Sequence, residues 1–110
     1  MIYLGNAFSL QMLDLTKEHE MRVTPLSKQE ADSFLLYNEF ISCIGHADTA
    51  VVLDNMLETH VECNRVNVKL TEDDVLIVAQ LTGGRLPEGA TTLPKGFDIV
   101  FLEVSFDLDD

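Results

Sequence analysis

The sequence predicts an α/β fold of the α+β kind, in which about five strands form one mixed sheet and two main helices flank it. This prediction rests first on periodicity, because short apolar or alternating runs typical of strands are interleaved with two longer segments that repeat at helical spacing. It rests also on size. A chain of 110 residues with 46% hydrophobic content can bury one core and is too short for two. We therefore expect residues 1–110 to form a single domain.

The first half of the chain opens with a short apolar run at residues 2–5, which predicts a buried strand. In the polar turn that follows, Ser9 is placed to cap a brief helix. The alternating residues 21–24 predict a second strand, which ends at the next residue, a proline. Ser27 and Glu30 have the spacing of a capping box and predict that the first main helix starts there.

The second main helix is predicted over residues 46–58 from the helical spacing of its apolar side chains. Two strands follow it. Residues 65–70 alternate between polar and apolar, whereas residues 75–81 form the nearly continuous apolar run of a central strand. After a glycine-rich loop, residues 98–106 predict the last strand, and the acidic residues 107–110 are expected to form a frayed tail.

The composition excludes several classes of protein. A net charge of −12 argues against a DNA-binding protein, because acidic chains repel nucleic acid and lack the counterion release that drives its binding. No segment approaches the roughly 20 apolar residues that cross a bilayer, and no signal peptide pattern is present, so we expect a cytoplasmic protein without a membrane partner. The three histidines and two cysteines lack metal-ligand spacing, so neither a metal nor a cofactor is expected.

His46 follows Gly45 at the predicted start of the second main helix. The unpaired backbone N–H groups and the dipole of a helix start favour an anion such as phosphate, and imidazole adds proton transfer near neutral pH. Gly45 lets a ligand approach the backbone, and Thr49 adds a hydroxyl one turn further on. Asp48 is expected to point to solvent and to complement the helix dipole. The alternative is a capping or packed histidine without a ligand.

The glycine-rich loop supplies Arg85 and Glu88, a guanidinium suited to a phosphoryl group and a carboxylate that can orient or deprotonate its partner. The alternative is an ordinary turn with a surface ion pair. Arg65 begins a predicted strand, where it binds a ligand or is simply solvated. Asn6 and Ser9, in the first turn, are ligand contacts or only turn and cap residues.

A histidine, an arginine and a glutamate without a metal are the minimum set for cleaving RNA through attack of a 2′-hydroxyl on its own phosphate. In that reaction the histidine is the general acid for the departing 5′-oxygen, and the arginine stabilises the charged phosphorane-like state. His46, Arg85 and Glu88 are the residues of this chain that fit these roles.

Four short segments carry a resemblance to a known family: Tyr3-Leu4-Gly5-Asn6-Ala7-Phe8-Ser9 with Met12-Leu13, Ile44-Gly45-His46 with Thr49, Asn64-Arg65-Val66, and Arg85-Leu86-Pro87-Glu88-Gly89. In this order they resemble the small viral and prophage anti-CRISPR ring nucleases, which degrade cyclic tetra-adenylate, the second messenger of type III CRISPR systems. The resemblance implies a homodimer whose symmetric cleft holds the cyclic tetranucleotide under mobile loops. It also implies metal-independent cleavage to linear diadenylate with a 2′,3′-cyclic phosphate. This switches off type III CRISPR signalling, either as a viral anti-CRISPR activity in the host cytoplasm or as self-limitation by a cellular system.

By this resemblance, His46 is the catalytic general acid, and Arg85 and Glu88 complete the catalytic set. Glu88 acts either on the reaction itself or on the orientation of His46. The residues implied to bind the substrate are Asn6, Ser9, Gly45, Thr49 and Arg65.

Two other functions fit the composition. The 19 acidic residues could mimic nucleic acid and block a basic effector stoichiometrically, without turnover. A cyclic-oligoadenylate sponge would bind the ring without cutting it. Replacing His46 by alanine separates the two ligand-binding functions, because only the nuclease has cleavage to lose while binding persists.

Overall fold

The computed structural model describes residues 1–106, so the predicted acidic tail at residues 107–110 lies outside the described residues. It confirms the predicted α+β fold, with a five-stranded mixed sheet and two α-helices. No helix among residues 1–106 is long and apolar enough to span a bilayer. The strands are β1 (Ile2–Gly5), β2 (Met21–Leu26), β3 (Ile41–Ser42), β4 (Val75–Thr82) and β5 (Asp98–Phe106), and the helices are α1 (Lys28–Leu36) and α2 (Ala47–Met56).

The sheet has the strand order β2-β5-β4-β1-β3 and combines two kinds of pairing. β1 pairs in parallel with both β3 and β4, whereas β5 pairs antiparallel with both β4 and β2. β1, β3 and β4 therefore run in the same direction, and their carboxyl ends lie at one end of the sheet. The connections that leave these strand ends can contribute to one site.

Both helices pack into the larger of two hydrophobic cores, on one face of the sheet. Leu35 of α1 and Leu53 of α2 are buried there together with Leu4 of β1 and Ile77 of β4. Burial along one stripe of each helix is what the helical spacing of apolar residues predicts. The core therefore fixes α2, whose first residue follows His46, on the sheet.

The local signals for helix starts are confirmed. Ser27 and Glu30 form the capping box, in which each side-chain oxygen accepts a hydrogen bond from the amide of the other residue, at 3.0 and 2.9 Å. Ser9 caps a single 3₁₀ turn by accepting a hydrogen bond from the Gln11 amide. The second main helix begins directly after His46, as its pattern predicts.

The prediction of a strand at residues 65–70 is wrong, although the alternating pattern is real. Val68 and Leu70 pack against the second face of the sheet, beside Leu76, but the backbone of the segment belongs to no strand. Its Leu70 amide donates to the Met12 carbonyl at 2.7 Å instead. Alternation in the sequence identifies neither the hydrogen-bond partners of the backbone nor, at the exposed Val66, the burial of every apolar side chain.

Two further differences concern strands. Pro25 does not end β2, because the strand continues to Leu26. β2 lies at the edge of the sheet, where the missing N–H of a proline is tolerated. β3 contains two residues, Ile41 and Ser42, which are too few to show a periodicity, so the sequence did not predict it.

Candidate functional site

Three connections leave the carboxyl ends of β1, β3 and β4 and meet around a cavity of about 570 Å³. Asn6 follows β1, His46 lies between β3 and α2, and Arg85 and Glu88 follow β4. This end of a sheet, beyond the carboxyl ends of parallel strands, is where open α/β sheets bind ligands. The residues that line the cavity are Asn6, His46, Asp48, Thr49, Leu81, Arg85, Leu86 and Glu88.

His46 is the N-cap residue of α2. Its backbone is extended, with φ −118° and ψ 123°, and its carbonyl accepts the first helical hydrogen bond, from the Ala50 amide. The imidazole makes no capping hydrogen bond and is exposed at the cavity. The ring is therefore available to a ligand. The first-turn amides of α2 make no capping hydrogen bond to the His46 side chain.

Residues 43–46, which we call the β3–α2 connection, are held by backbone hydrogen bonds on both sides. The Cys43 amide donates to the Leu4 carbonyl, and the Asn64 amide donates to the Ile44 carbonyl, each at 2.8 Å. The Ile44 side chain is fully buried. The connection is therefore anchored to the core on its way into α2.

Arg65 and Gly45 lie beside the cavity and not in its wall. The Nε and Nη2 atoms of Arg65 donate to the Gly45 carbonyl at 3.2 and 3.1 Å, so this side chain supports the connection that carries His46. A methyl group on Gly45 would lie 3.6 Å from the Arg65 Cγ atom, which is an ordinary contact. Ser9 is also outside the wall, where its hydroxyl caps the 3₁₀ turn.

Arg85 and Glu88 lie on residues 83–97, which we call the β4–β5 loop, and both are exposed. Within the part of the chain that the structure describes, neither residue takes part in an ion pair, so the surface ion pair of the alternative interpretation is absent. Leu86, between them, is partly buried against the larger core and holds this part of the loop at the cavity. The guanidinium and the carboxylate are therefore available to a ligand.

The prediction that Asp48 points to solvent is wrong. Its carboxylate lines the cavity and accepts a hydrogen bond from the Gly89 amide at 3.1 Å. Gly89 lies 41 residues further along the chain, so no local pattern could indicate this contact. Leu81 and Leu86 are the other lining residues that the sequence did not predict, because apolar side chains give no sign of a site.

The wall combines one guanidinium, one imidazole and two carboxylates with the start of α2. The guanidinium and the first-turn amides suit an anion, and imidazole donates or accepts a proton near neutral pH. Among residues 1–106, no group of three or more His, Cys, Asp or Glu is placed to hold a metal ion. The arrangement can bind a phosphoryl group and transfer a proton beside it.

Comparisons with known proteins match almost the whole chain. A model of the protein family described as STIV B116-like matches residues 2–99, which include every residue of the cavity wall. The chain is 28% identical over 109 residues to "Uncharacterized protein 26" of Sulfolobus islandicus filamentous virus (isolate Iceland/Hveragerdi), covering 94% of this chain and 92% of that protein. It is also similar to the solved structure of B116 of Sulfolobus turreted icosahedral virus, with a TM-score of 0.80 and 29% identity, over 94% of this chain and 97% of that one.

Proposed function

The chain belongs to the STIV B116-like family of viral proteins, and from this premise we propose that it is a ring nuclease that cleaves cyclic tetra-adenylate without a metal ion. The product is linear diadenylate with a 2′,3′-cyclic phosphate, and its formation switches off type III CRISPR signalling in the infected cell. The observation that carries the proposal is the meeting of His46, Arg85 and Glu88, from two separate connections, in one cavity at the start of α2.

The proposed reaction needs three functional groups. The 2′-hydroxyl oxygen of one adenylate attacks the neighbouring phosphorus, and the bond from that phosphorus to the 5′-oxygen breaks. His46 donates a proton to the departing 5′-oxygen, and Arg85 pairs with the phosphate oxygens whose charge grows in the transition state. Glu88 either accepts the proton of the 2′-hydroxyl or orients His46 while a water molecule takes that proton, and its exposed carboxylate, without an ion pair, supports both roles.

Substrate binding in this proposal extends beyond the cavity of one chain. Asn6 and Thr49 lie in the wall. Gly45, Arg65 and Ser9 lie outside it, and a cyclic tetranucleotide would have to extend past the wall to reach them. The net charge of −12 does not prevent this, because salt screens distant surface charges beyond about 8–10 Å while the groups of the site act at contact.

A homodimer is part of the proposal. A ring of four adenylates presents equivalent phosphates, and two-fold symmetry offers two copies of the same half-site to them. Each chain then supplies one His46 and one Arg85, so two opposite phosphates are cleaved and two diadenylates form. The molar mass of the protein in solution, measured by light scattering, tests this part, and the mass of a single chain contradicts it.

The test of the activity incubates the purified protein with radiolabelled cyclic tetra-adenylate in EDTA and resolves the products over time. We expect the wild type to form linear diadenylate. His46→Ala should lower the rate by about 10²- to 10⁴-fold, the usual contribution of general acid catalysis, while the ring still binds. His19→Ala is the matched control and keeps the wild-type rate, because His19 lies outside the cavity wall and contacts Asp14 and Phe106, which are also outside it.

Each other outcome points to a different function. Full activity of His46→Ala removes His46 as the general acid. Binding of the ring by the wild type without cleavage favours a cyclic-oligoadenylate sponge. If the wild type neither binds nor cleaves the ring, the result favours the acidic stoichiometric inhibitor.

A further inference from the structure

Two side chains of α2 hold the β4–β5 loop by its backbone. The Asp48 carboxylate accepts a hydrogen bond from the Gly89 amide at 3.1 Å, and the Asn55 side-chain amide donates one to the Thr91 carbonyl at 2.7 Å. Positions 48 and 55 are about two helical turns apart and lie on the same side of α2. The helix that begins after His46 therefore carries two tethers to the loop.

The β4–β5 loop depends on such tethers because few other contacts fix it. Its internal backbone hydrogen bonds close local turns, such as the bond from the Ala90 amide to the Pro87 carbonyl. Leu86 and Leu93 are only partly buried against the core. Segments with few buried contacts open at a low free-energy cost. A hydrogen bond next to Glu88 therefore has a large influence on where that part of the loop lies.

We propose that Asp48 is a positioning residue for the catalytic set and acts through the Gly89 amide. Gly89 directly follows Glu88, and Asp48 lies in the first turn of the helix that has His46 as its N-cap. One hydrogen bond thus joins the segment that supplies the general acid to the segment that supplies Arg85 and Glu88. The role in catalysis rests on the proposed function, whereas the tether itself does not.

The charge of Asp48 supports this assignment. A carboxylate in a wall that holds a phosphodiester repels it, so ligand binding alone gives no reason for an acidic side chain there. An aspartate in the first helical turn does complement the helix dipole, but that contribution acts on stability, and alanine and asparagine both lose it. Asparagine keeps an acceptor oxygen for the Gly89 amide, whereas alanine does not. The two variants therefore separate the hydrogen bond from the charge.

The experiment measures kcat and KM for cyclic tetra-adenylate, and the hydrogen exchange of the Gly89 amide by NMR in the ligand-free protein. Asp48→Ala should lower kcat about tenfold, the effect of losing one hydrogen bond of ordinary strength, and should speed exchange at Gly89. Asp48→Asn should restore kcat and the protection of Gly89, and should lower KM because the repulsive charge is gone. Asn55→Ala is the matched control for the second tether and should lower kcat less than Asp48→Ala.

Three results would overturn the assignment: wild-type kcat in Asp48→Ala, equal losses of kcat in Asp48→Ala and Asp48→Asn, or unchanged exchange at Gly89 in Asp48→Ala. Urea unfolding of each variant identifies a loss of activity that comes from instability. If the wild type cuts no ring, the proposed function fails and the exchange data alone decide the tether. Faster exchange in Asp48→Ala but not in Asp48→Asn then supports it, and equal exchange in both overturns it.

Discussion

The two segments that form most of the cavity differ in how the rest of the molecule holds them. The β3–α2 connection is short, and it bonds through its backbone to Leu4 and Asn64 while Ile44 is fully buried. The β4–β5 loop is longer, is exposed at Arg85 and Glu88, and is tied to α2 by side chains. The β3–α2 connection is therefore anchored to the core, whereas the β4–β5 loop is tethered to α2.

This difference separates two tasks of the proposed enzyme. The anchored connection fixes the start of α2 and His46 before a ligand arrives, so the groups that meet the phosphate are preorganised. The tethered loop can open at a low cost, because it buries few contacts. A fixed general acid with a movable arginine suits an enzyme that must enclose a cyclic ligand and then release its products.

After the loss expected for His46→Ala, the largest effect is expected from the tethered loop. Arg85→Ala should lower kcat by about 10²- to 10³-fold, the usual loss when one group that stabilises transition-state charge is removed. Arg85→Lys should recover only part of this loss, because an ammonium keeps the charge but not the planar fork. The cleavage assay in EDTA measures both variants.

The matched control for this prediction is Lys95→Ala. Lys95 is exposed on the same loop and does not line the cavity, so its removal should leave kcat unchanged. A loss in Lys95→Ala as large as in Arg85→Ala would mean that the overall charge of the loop matters, and not one guanidinium at the phosphate.

Most of the fold could be predicted from the sequence because most of its signals are local. The capping box at Ser27, the strand at residues 98–106 and the central apolar strand each depend on neighbouring residues, and the structure has all three. The strand predicted at residues 65–70 failed because an alternating sequence does not identify the hydrogen-bond partner of a backbone. β3 has two residues and no period, so only its pairing with β1 makes it a strand.

The residues of the candidate site also divide into those with a local sequence signal and those that depend on long-range contacts. His46 at a helix start is a local pattern, and the structure has it at the N-cap of α2. Asp48 was missed because its partner is 41 residues away. The contact of Arg65 with Gly45 spans 20 residues, and it too gives no local signal in the sequence. Long-range hydrogen bonds to backbone atoms depend on how the segments come together, and a single sequence does not record that.

The second prediction compares one glycine from each segment. A methyl group at Gly83, where φ is +103°, would lie 2.6 Å from the Gly96 carbonyl oxygen, whereas at Gly45 the nearest atom, on Arg65, is 3.6 Å away. Gly83→Ala should therefore lower the free energy of unfolding by about 1–3 kcal/mol. Gly45→Ala should change it by less than about 1 kcal/mol. Urea unfolding followed by circular dichroism measures both.

A measurement of KM extends this comparison from stability to ligand binding. Gly45→Ala should raise KM for the ring, because the added methyl group occupies space beside the backbone that the ligand approaches. Equal destabilisation by the two substitutions would contradict the contrast between them. Wild-type KM in Gly45→Ala would show that no ligand comes close to this backbone.

The smallest expected effect concerns the support of the anchored connection. The Asp54 carboxylate of α2 accepts hydrogen bonds from the Val61 amide at 2.8 Å and from the His60 ring at 2.7 Å. These bonds hold the pKa of Asp54 below its ordinary value of 3.8, and the bond from the Val61 amide has the larger effect. Residues 60–61 lead into the segment that includes Asn64, whose amide bonds to the β3–α2 connection. Protonation of Asp54 should therefore loosen the anchor of this connection.

The sign of the pH effect follows from linkage. Because the pKa of Asp54 is lowered in the folded state, its contribution to stability is complete above the unfolded value and is lost as the pH falls through the folded value.

Asp54→Asn removes the titration but keeps an acceptor for the Val61 amide. In urea unfolding across acid pH, the wild type should be more stable than Asp54→Asn above pH 3.8, and the difference should shrink below it. Asp14 and Glu30 titrate in both proteins, so the difference isolates Asp54. A difference that stays constant with pH would show that this carboxylate does not hold the segment through its charge.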